Sequence, residues 1–240
     1  MRIASHSFQT THWSVVRHAA KHDDVAAQKA LASICEAYWY PLYAYFRRSG
    51  KNAHDAEDLT QGFFTRLLKN KTLAAADPGK GRLRTFLLTC AQNFLADRYD
   101  YTTAKKRGES LLVSFDALQA EERYTSESQE LQSPDRLFQR RWALTVLEQS
   151  LKTLEQEFEK RGKAATFQAL RPFLGFTSQP ERRYDQISAH LGIPEGTLKN
   201  QVFRLRERWR QLLFEQVAGT LENPSPEEVK AELSELLDSV

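Results

Sequence analysis

The apolar residues between positions 184 and 206 repeat at the spacing of two short helices that cross each other. The shared apolar seam consists of Ile187, Leu191, Ile193, Leu198, Val202 and Leu205. Gly192 stands where the chain must turn sharply, because glycine accepts backbone angles that other residues resist. Pro194 then fixes the entry into a second helix, which we expect to begin near Glu195. The segment therefore predicts a helix, a tight turn and a second helix.

The outer face of the second predicted helix is polar and largely basic. A helix after such a turn enters the major groove of DNA by its N-terminal half, where Arg and Asn bond bases and Phe meets thymine methyls. The side chains able to reach bases or phosphates are Glu195, Thr197, Lys199, Asn200, Phe203, Arg204 and Arg206, and Arg208 and Arg210 continue the positive charge. The pattern favours binding to double-stranded DNA. An ordinary helical hairpin with a solvated basic face is the alternative interpretation.

Composition and length predict an all-α chain with two domains. Only 10 of the 240 residues are Gly, and 41% of the residues are hydrophobic while 27% are charged. The net charge is only +3, so affinity for nucleic acid has to come from locally clustered Arg and Lys. No apolar run reaches the length of a bilayer span, and the first ten residues lack the apolar core of a signal peptide. We therefore expect a cytoplasmic protein without membrane contact.

Residues that could support catalysis or metal binding are few. Cys35 and Cys90 lack a CxxC partner, which is typical of packed thiols in a reducing compartment. His18 and His22 stand four residues apart beside Asp23, a spacing that can hold a metal on a helix, but no second cluster completes a site. The sequence therefore predicts neither an enzyme nor a bound metal or cofactor.

Residues 38–46 form a dense aromatic run, Tyr-Trp-Tyr-Pro-Leu-Tyr-Ala-Tyr-Phe. Aromatic side chains can stack on bases, but at helical spacing they more often fill a hydrophobic core. We expect this run to be core.

Residues 52–68 predict a helix with an acidic outer face. Its apolar stripe consists of Leu59, Phe63 and Leu67, with Phe64 and Leu68 beside it. The residues left facing outward are Asp55, Glu57, Asp58 and Gln61. Carboxylates are favourable in the first turn of a helix, which accounts for part of this cluster. A docking surface for a basic partner is the functional interpretation.

Another helix is expected from Leu83 onward, with Arg82, Arg84, Gln92, Asn93, Asp97 and Arg98 facing outward. This helix runs into a stretch in which Tyr alternates with Lys and Arg. Proteins that bind single strands use such stretches, because aromatic rings stack on bases while cations follow the phosphates. The candidates for this role are Gln92, Asn93, Arg98, Tyr99, Tyr101, Lys105 and Lys106.

The remainder of the chain predicts an acidic linker, a second domain and an extension. Residues 109–133 are rich in Asp, Glu, Ser and Gln, which is typical of a linker. Residues 134–214 begin with a Leu-rich helix that we expect to pack on Phe167, Leu170 and Phe173, although the repeat is also compatible with a coiled coil. Residues 215–240 contain an acidic amphipathic helix, which either folds back onto basic surface or binds a partner.

The order of these features resembles the extracytoplasmic-function (ECF) sigma factors of the sigma-70 family. The residues that carry the resemblance are Asp-Ala-Glu-Asp-Leu-Thr-Gln at 55–61 and Gly-Thr-Leu-Lys-Asn-Gln-Val-Phe-Arg-Leu-Arg at 196–206. The length of the chain makes it similar to the large planctomycete-type members. The resemblance implies a region 2 domain over residues 1–108 and a region 4 domain with a helix-turn-helix over residues 134–214. It also implies a sigma factor that binds core RNA polymerase and directs promoter-specific transcription initiation.

The resemblance assigns a role to each set of candidates. The acidic helix would bind the clamp helices of the largest polymerase subunit, through Asp55, Glu57, Asp58, Gln61 and Phe64. The set from Gln92 to Lys106 would open the −10 element and hold an extruded base, and the helix from Glu195 would read the −35 element. The polymerase flap is a further implied contact. An anti-sigma factor and a Ser/Thr kinase are alternative regulators.

A helix-turn-helix regulator with an N-terminal effector or dimerisation domain is the alternative function. Such a regulator binds DNA without acting as a subunit of the polymerase, so it needs no docking surface for the enzyme. The acidic face at residues 55–61 is therefore the feature that distinguishes the two functions.

Overall fold

The structure is a computed structural model, which describes residues 16, 25–69, 72–77, 79, 81–101, 117–126, 133–174 and 184–239. All regular secondary structure in these ranges is helical, which confirms the predicted all-α fold. The α-helices are α1 (Val25–Arg48), α2 (Ala53–Lys69), α3 (Leu83–Tyr101), α4 (Ala117–Ser126), α5 (Pro134–Lys160), α6 (Ala164–Leu170), α7 (Tyr184–Leu191), α8 (Glu195–Gly219) and α9 (Pro226–Asp238). Short 3-10 helices follow α2 and α6, at Thr72–Ala75 and Arg171–Leu174. Within the described ranges, no helix has the length and hydropathy needed to cross a bilayer.

The described residues divide into two compact units. The smaller unit lies within residues 147–216, and the larger unit combines the residues up to 146 with those from 217 onward. Helices α1 to α4 and α9 belong to the larger unit, whereas α6 and α7 belong to the smaller one.

The aromatic run in α1 forms the centre of the larger unit, as expected. Tyr38, Leu42 and Phe46 recur every four residues and are completely buried. The ring of Trp39 stacks on that of Tyr43, with 5.3 Å between the ring centroids. These rings are therefore core, and they are not available to stack on bases.

Part of the predicted acidic linker is a helix that packs on α1. Glu121 of α4 accepts hydrogen bonds from Arg47 Nη2 at 2.7 Å and from the Tyr43 hydroxyl at 2.5 Å. The hydrogen bond from Arg47 holds the pKa of Glu121 below its usual range, and burial raises the pKa of Tyr43. The rest of the predicted linker lies outside the described residues, apart from Ser133, which precedes α5.

The smaller unit has a core drawn from α5 to α8. Its buried residues are Leu154, Phe167, Leu170, Leu174, Ile187, Leu198, Val202, Leu205 and Leu212. Phe158 and Phe173 pack against this core, and the Phe158 ring lies 5.5 Å from that of Phe167. The predicted packing of the Leu-rich helix on Phe167, Leu170 and Phe173 is thereby confirmed.

Candidate nucleic-acid interface

A three-residue turn joins α7 to α8, and its backbone follows the expectation for Gly192. Gly192 adopts a φ of +65°, in the left-handed region that glycine tolerates best. The amide of Ile193 donates to the carbonyl of Ser188 at 3.1 Å, while the Ser188 hydroxyl donates to the carbonyl of Ile193. Helix α8 begins at Glu195, the predicted residue. The turn is thus closed by reciprocal bonds across it.

The predicted seam between the two helices is present. Ile187 of α7 and Leu198, Val202 and Leu205 of α8 are all buried in the core of the smaller unit. Leu191 and Ile193 are partly buried and pack against the same core. Because the seam takes up one side of α8, the opposite side is turned to solvent.

All seven residues predicted for the outer face of α8 are exposed, from Glu195 to Arg206. Phe203 leaves 63% of its surface accessible, which is unusual for a large aromatic residue. Arg204 follows it on the same face, and no ion pair engages Arg204 within the described part of the chain. An exposed ring beside a cation that is not neutralised forms a surface suited to an anionic, partly apolar ligand such as DNA.

Other cations of α8 already have partners within the smaller unit. Lys199 Nζ lies 2.7 Å from Glu195 Oε1 and 5.6 Å from the centre of the Tyr184 ring. Its hydrogen bond to Glu195 raises the pKa of Lys199. Arg206 Nε donates to the Phe173 carbonyl at 2.9 Å, which fixes the Arg206 side chain against the 3-10 helix after α6.

The sequence predicted that Arg208 and Arg210 extend the charged face, and this prediction is wrong. Arg208 Nη2 lies 2.6 Å from Glu157 Oε1 on α5, and Arg210 pairs with Glu207 on its own helix. These pairs neutralise both arginines because a carboxylate stands beside each guanidinium. The periodicity of α8 could not reveal that Arg208 is paired, because its partner Glu157 lies on α5, which is distant in the chain.

The acidic residues of α2 form an exposed face in the larger unit. Asp55 and Asp58 are exposed, and Glu57 and Gln61 are partly exposed. Asn52 caps the helix: its side-chain oxygen accepts from the Asp55 amide at 2.8 Å, and its side-chain nitrogen donates to the Asp55 carboxylate. Gln61 donates to Glu57 at 3.2 Å. No Lys or Arg pairs with these three carboxylates in the described ranges, so their charge faces solvent.

Phe64 is the exception among the candidates on α2. Only 5% of its surface is exposed, and its ring packs edge-on against Phe63 at 5.5 Å. Phe64 therefore belongs to the core under the acidic face, beside the apolar stripe. It is not available for direct contact with a partner.

The candidates for single-strand binding begin on the exposed side of α3. Gln92 donates to both carboxylate oxygens of Asp135 at 3.2 Å, which ties α3 to α5. Asn93 is exposed and borders a cavity of about 180 Å³, whose other lining residues are Phe63, Arg66, Leu67, Thr72, Cys90 and Phe94. The backbones of Arg98, Tyr99 and Tyr101 lie in α3, but their side chains, with Lys105 and Lys106, fall outside the described residues.

The helical pattern predicted that Arg84 faces outward, but the residue is buried. Its exposed fraction is 4%, because α9 folds back and places Glu232 against its guanidinium. The acidic extension therefore packs on basic surface of its own chain, which is one of the two alternatives the sequence left open.

The two thiols are packed, as expected. Cys35 is buried, and burial raises its pKa to about 12. Cys90 is partly buried, and burial raises its pKa too. The described residues contain no cluster of His, Cys, Asp and Glu that could hold a metal. His18, His22 and Asp23 lie outside these residues.

A comparison with known families matches the part of the chain that contains the acidic helix. Residues 35–104 match the family model of sigma-70 region 2. The matched segment, which we call the region 2 segment, contains most of α1 together with all of α2 and α3. The match supports a sigma factor role in promoter recognition and transcription initiation. It also implies partners for the region 2 segment, namely core RNA polymerase and promoter DNA.

The region 2 segment contains both the acidic face of α2 and the cavity beside Asn93. The match does not reach α7 and α8, whose exposed face is known from the sequence pattern and the structure alone. No curated protein and no solved structure gives a match to the chain.

Proposed function

We propose that this chain is an ECF-type sigma factor that binds core RNA polymerase and directs it to specific promoters, without catalytic activity of its own. The observation that carries the proposal is the acidic face of α2, which lies inside the region 2 segment. A cytoplasmic location follows from this function, because core polymerase acts there.

The acidic face is the proposed docking surface for the clamp helices of the largest polymerase subunit. Its charge comes from Asp55, Glu57 and Asp58, and Gln61 extends the polar surface. In the described ranges these carboxylates pair with no Lys or Arg, and the only ion-pair contact is that of His54 with Asp58 at 3.8 Å. Such carboxylates attract a basic partner and speed its association. Phe64 supports this surface from below and is left out of the proposed contact.

The exposed side of α8 is the proposed reader of the −35 element, with α7, the turn and α8 acting as a helix-turn-helix. Asn200 and Arg204 are suited to adenine and guanine, and Phe203 to a thymine methyl. Thr197, Lys199 and Arg206 are suited to phosphates or bases at the edges. Glu195 faces the same side, where a carboxylate can accept from the amino group of cytosine.

The region 2 segment is the proposed site of −10 recognition. The cavity beside Asn93 has aromatic walls from Phe63 and Phe94 and an amide at its edge. An extruded base is held in such a pocket by contact with rings and by hydrogen bonds to its edge. Gln92 and the segment from Arg98 to Lys106 would follow the adjoining strand.

Residues 134–214 are the proposed region 4 domain, with the polymerase flap as a further contact. The regulator is proposed to be an anti-sigma factor or a Ser/Thr kinase. The large size of the chain favours the kinase, by its resemblance to planctomycete-type members.

Run-off transcription with core polymerase that lacks sigma factor tests the proposal. A library of genomic promoter fragments should yield discrete transcripts that depend on the protein. Asp58→Arg should abolish them, whereas Glu159→Arg, an equal charge reversal on an exposed residue of α5, should not. Sequence-specific DNA binding without any transcript would identify the protein as a helix-turn-helix regulator instead.

A further inference from the structure

Helix α9 has a well-defined start and is held to the rest of the larger unit by a few specific contacts. A capping box starts the helix, in which the Glu228 amide donates to Ser225 Oγ at 3.3 Å and the Ser225 amide donates to Glu228 at 2.7 Å. Val229 and Leu236 are its buried apolar residues. Between them lies Glu232, of which only 1% is exposed. A buried carboxylate at the centre of an apolar contact requires a specific partner.

The partners of the α9 carboxylates are two arginines at the start of α3. Arg82 Nη1 donates to both oxygens of Glu235 at 2.7 Å, and Arg82 Nη2 lies 2.6 Å from Glu232 Oε2. Arg84 pairs with Glu232 through Nη1 and with Glu235 through Nη2, the latter at 3.1 Å. Two guanidinium groups thus face two carboxylates, and the charges balance.

Arg84 is also held by residues that do not belong to α9. Its guanidinium lies 4.6 Å from the centre of the Trp142 ring, and its Nε donates to Gln139 at 2.8 Å. Burial lowers the pKa of Arg84 to about 10, so the group stays charged at neutral pH. Because these contacts come from α5, Arg84 would keep its position if α9 moved away.

Exchange of α9 for another anion is energetically reasonable. A buried ion pair gains little net stability, because desolvation offsets most of the attraction between the charges. An external anion that pairs with the same arginines therefore replaces the ionic part of the contact at small cost, and the loss of Val229 and Leu236 burial is what the anion has to offset. The planar fork of Arg binds carboxylates and phosphates with the same geometry, so a phosphate is the natural substitute.

We propose that Arg82 and Arg84 form a binding site for the DNA phosphate backbone, which α9 covers by placing Glu232 and Glu235 where two phosphates would lie. The proposal rests on the DNA binding proposed above. DNA is the expected ligand because the same helix exposes Gln92 and Asn93 within the region 2 segment. Helix α9 thereby competes with DNA for the start of α3.

Two double variants of the full chain test this competition, and each removes two negative charges from α9. Glu232→Gln with Glu235→Gln removes the covering charges, while Glu227→Gln with Asp238→Asn removes two charges from exposed positions of the same helix. Fluorescence anisotropy measures the binding of each protein to a labelled duplex of mixed sequence over a range of KCl concentrations. Circular dichroism verifies that the variants are folded.

The variant with Glu232→Gln and Glu235→Gln should bind the duplex more tightly than the control with Glu227→Gln and Asp238→Asn. The slope of log affinity against log salt should become steeper by about 1.8, at about 0.9 for each phosphate gained. Addition of Arg82→Gln should reverse about half of that change. Equal slopes for the two variants would overturn the proposal. If the wild type binds DNA in that case, the proposed function still stands; if no variant binds DNA, both fail.

Hydrogen exchange on the unmodified protein provides a second measurement that does not depend on a substitution. Amides of α9 should lose protection when saturating duplex is added, because DNA displaces the helix from Arg82 and Arg84. Unchanged protection of α9 in the DNA complex would contradict the proposal.

Discussion

Lys199 Nζ lies 2.7 Å from Glu195 Oε1, one turn away at the exposed start of α8. Glu195 thus neutralises a cation of the proposed DNA-reading face. On a duplex of mixed sequence, where the proposed contact of Glu195 with cytosine contributes little, Glu195→Gln should free Lys199 for a phosphate and remove a repulsive charge. We expect tighter binding to duplex DNA and a salt slope steeper by about 0.9. Titration of a labelled duplex at several salt concentrations measures both, with Glu159→Gln as the control, and equal slopes would rule out this role for the pair.

Arg204 is expected to read a base rather than to bind a phosphate. It is exposed on α8 beside Phe203, and no ion pair within the described ranges holds it. Arg204→Ala should cost about 1–3 kcal/mol of binding free energy and relax the sequence preference at one base pair. Binding to a library of substituted duplexes measures the preference, and Lys160→Ala on α5 serves as the control. Uniform weakening with a shallower salt slope would instead indicate a phosphate contact.

Gly192 and Gly196 should respond to alanine with opposite signs. A Cβ at either position meets nothing within 4 Å, so the backbone alone decides the outcome. Gly192→Ala forces a φ of +65° on an L side chain and should cost about 1–2 kcal/mol of unfolding free energy. Gly196→Ala lies in the first turn of α8 and should be neutral or gain about 0.5–1 kcal/mol. Urea denaturation measures both, and equal effects would refute the assigned turn.

The pair between Glu157 and Arg208 should make stability depend on acid pH. The hydrogen bond from Arg208 lowers the pKa of Glu157, so the unfolded state binds a proton more readily than the folded state. The pair contributes its full stabilisation of the folded state above the ordinary carboxyl pKa of about 4.3. This stabilisation is lost as the pH falls through the lowered pKa of Glu157. Glu157→Gln should cost about 1 kcal/mol of unfolding free energy at pH 7 and less at pH 3.

Urea denaturation at both pH values measures this difference, with Glu159→Gln as a matched control on the same helix. The control should change stability little at either pH, because Glu159 is exposed. If the free energies of unfolding of wild type and Glu157→Gln differ by the same amount at both pH values, the pair does not contribute to the pH dependence of stability.

The local features of this fold could be predicted from the sequence because they depend on neighbours close in the chain. Apolar spacing located the seam of α7 and α8, and the same spacing predicted which residues of α8 are exposed. Gly192 and Pro194 located the turn through their backbone preferences. The acidic face of α2 followed from the apolar stripe opposite it.

The errors concern partners that are distant in the chain. Arg84 was expected outside because nothing near it in sequence reveals that Glu232 would cover it. Glu121 was assigned to a solvated linker, because its partner Arg47 lies on α1, far away in the sequence. Phe64 is a different case: the spacing correctly placed it beside the buried stripe, and only the family resemblance assigned it to the polymerase contact.

The central claim is that the acidic face of α2 docks the protein on core RNA polymerase. Size-exclusion chromatography of the protein mixed with polymerase that lacks sigma factor, at low salt, tests this claim most directly. The wild type and Glu159→Arg should co-elute with the polymerase, while folded Asp58→Arg should elute alone. Failure of the folded wild type to co-elute, or undiminished co-elution of Asp58→Arg, would contradict the account.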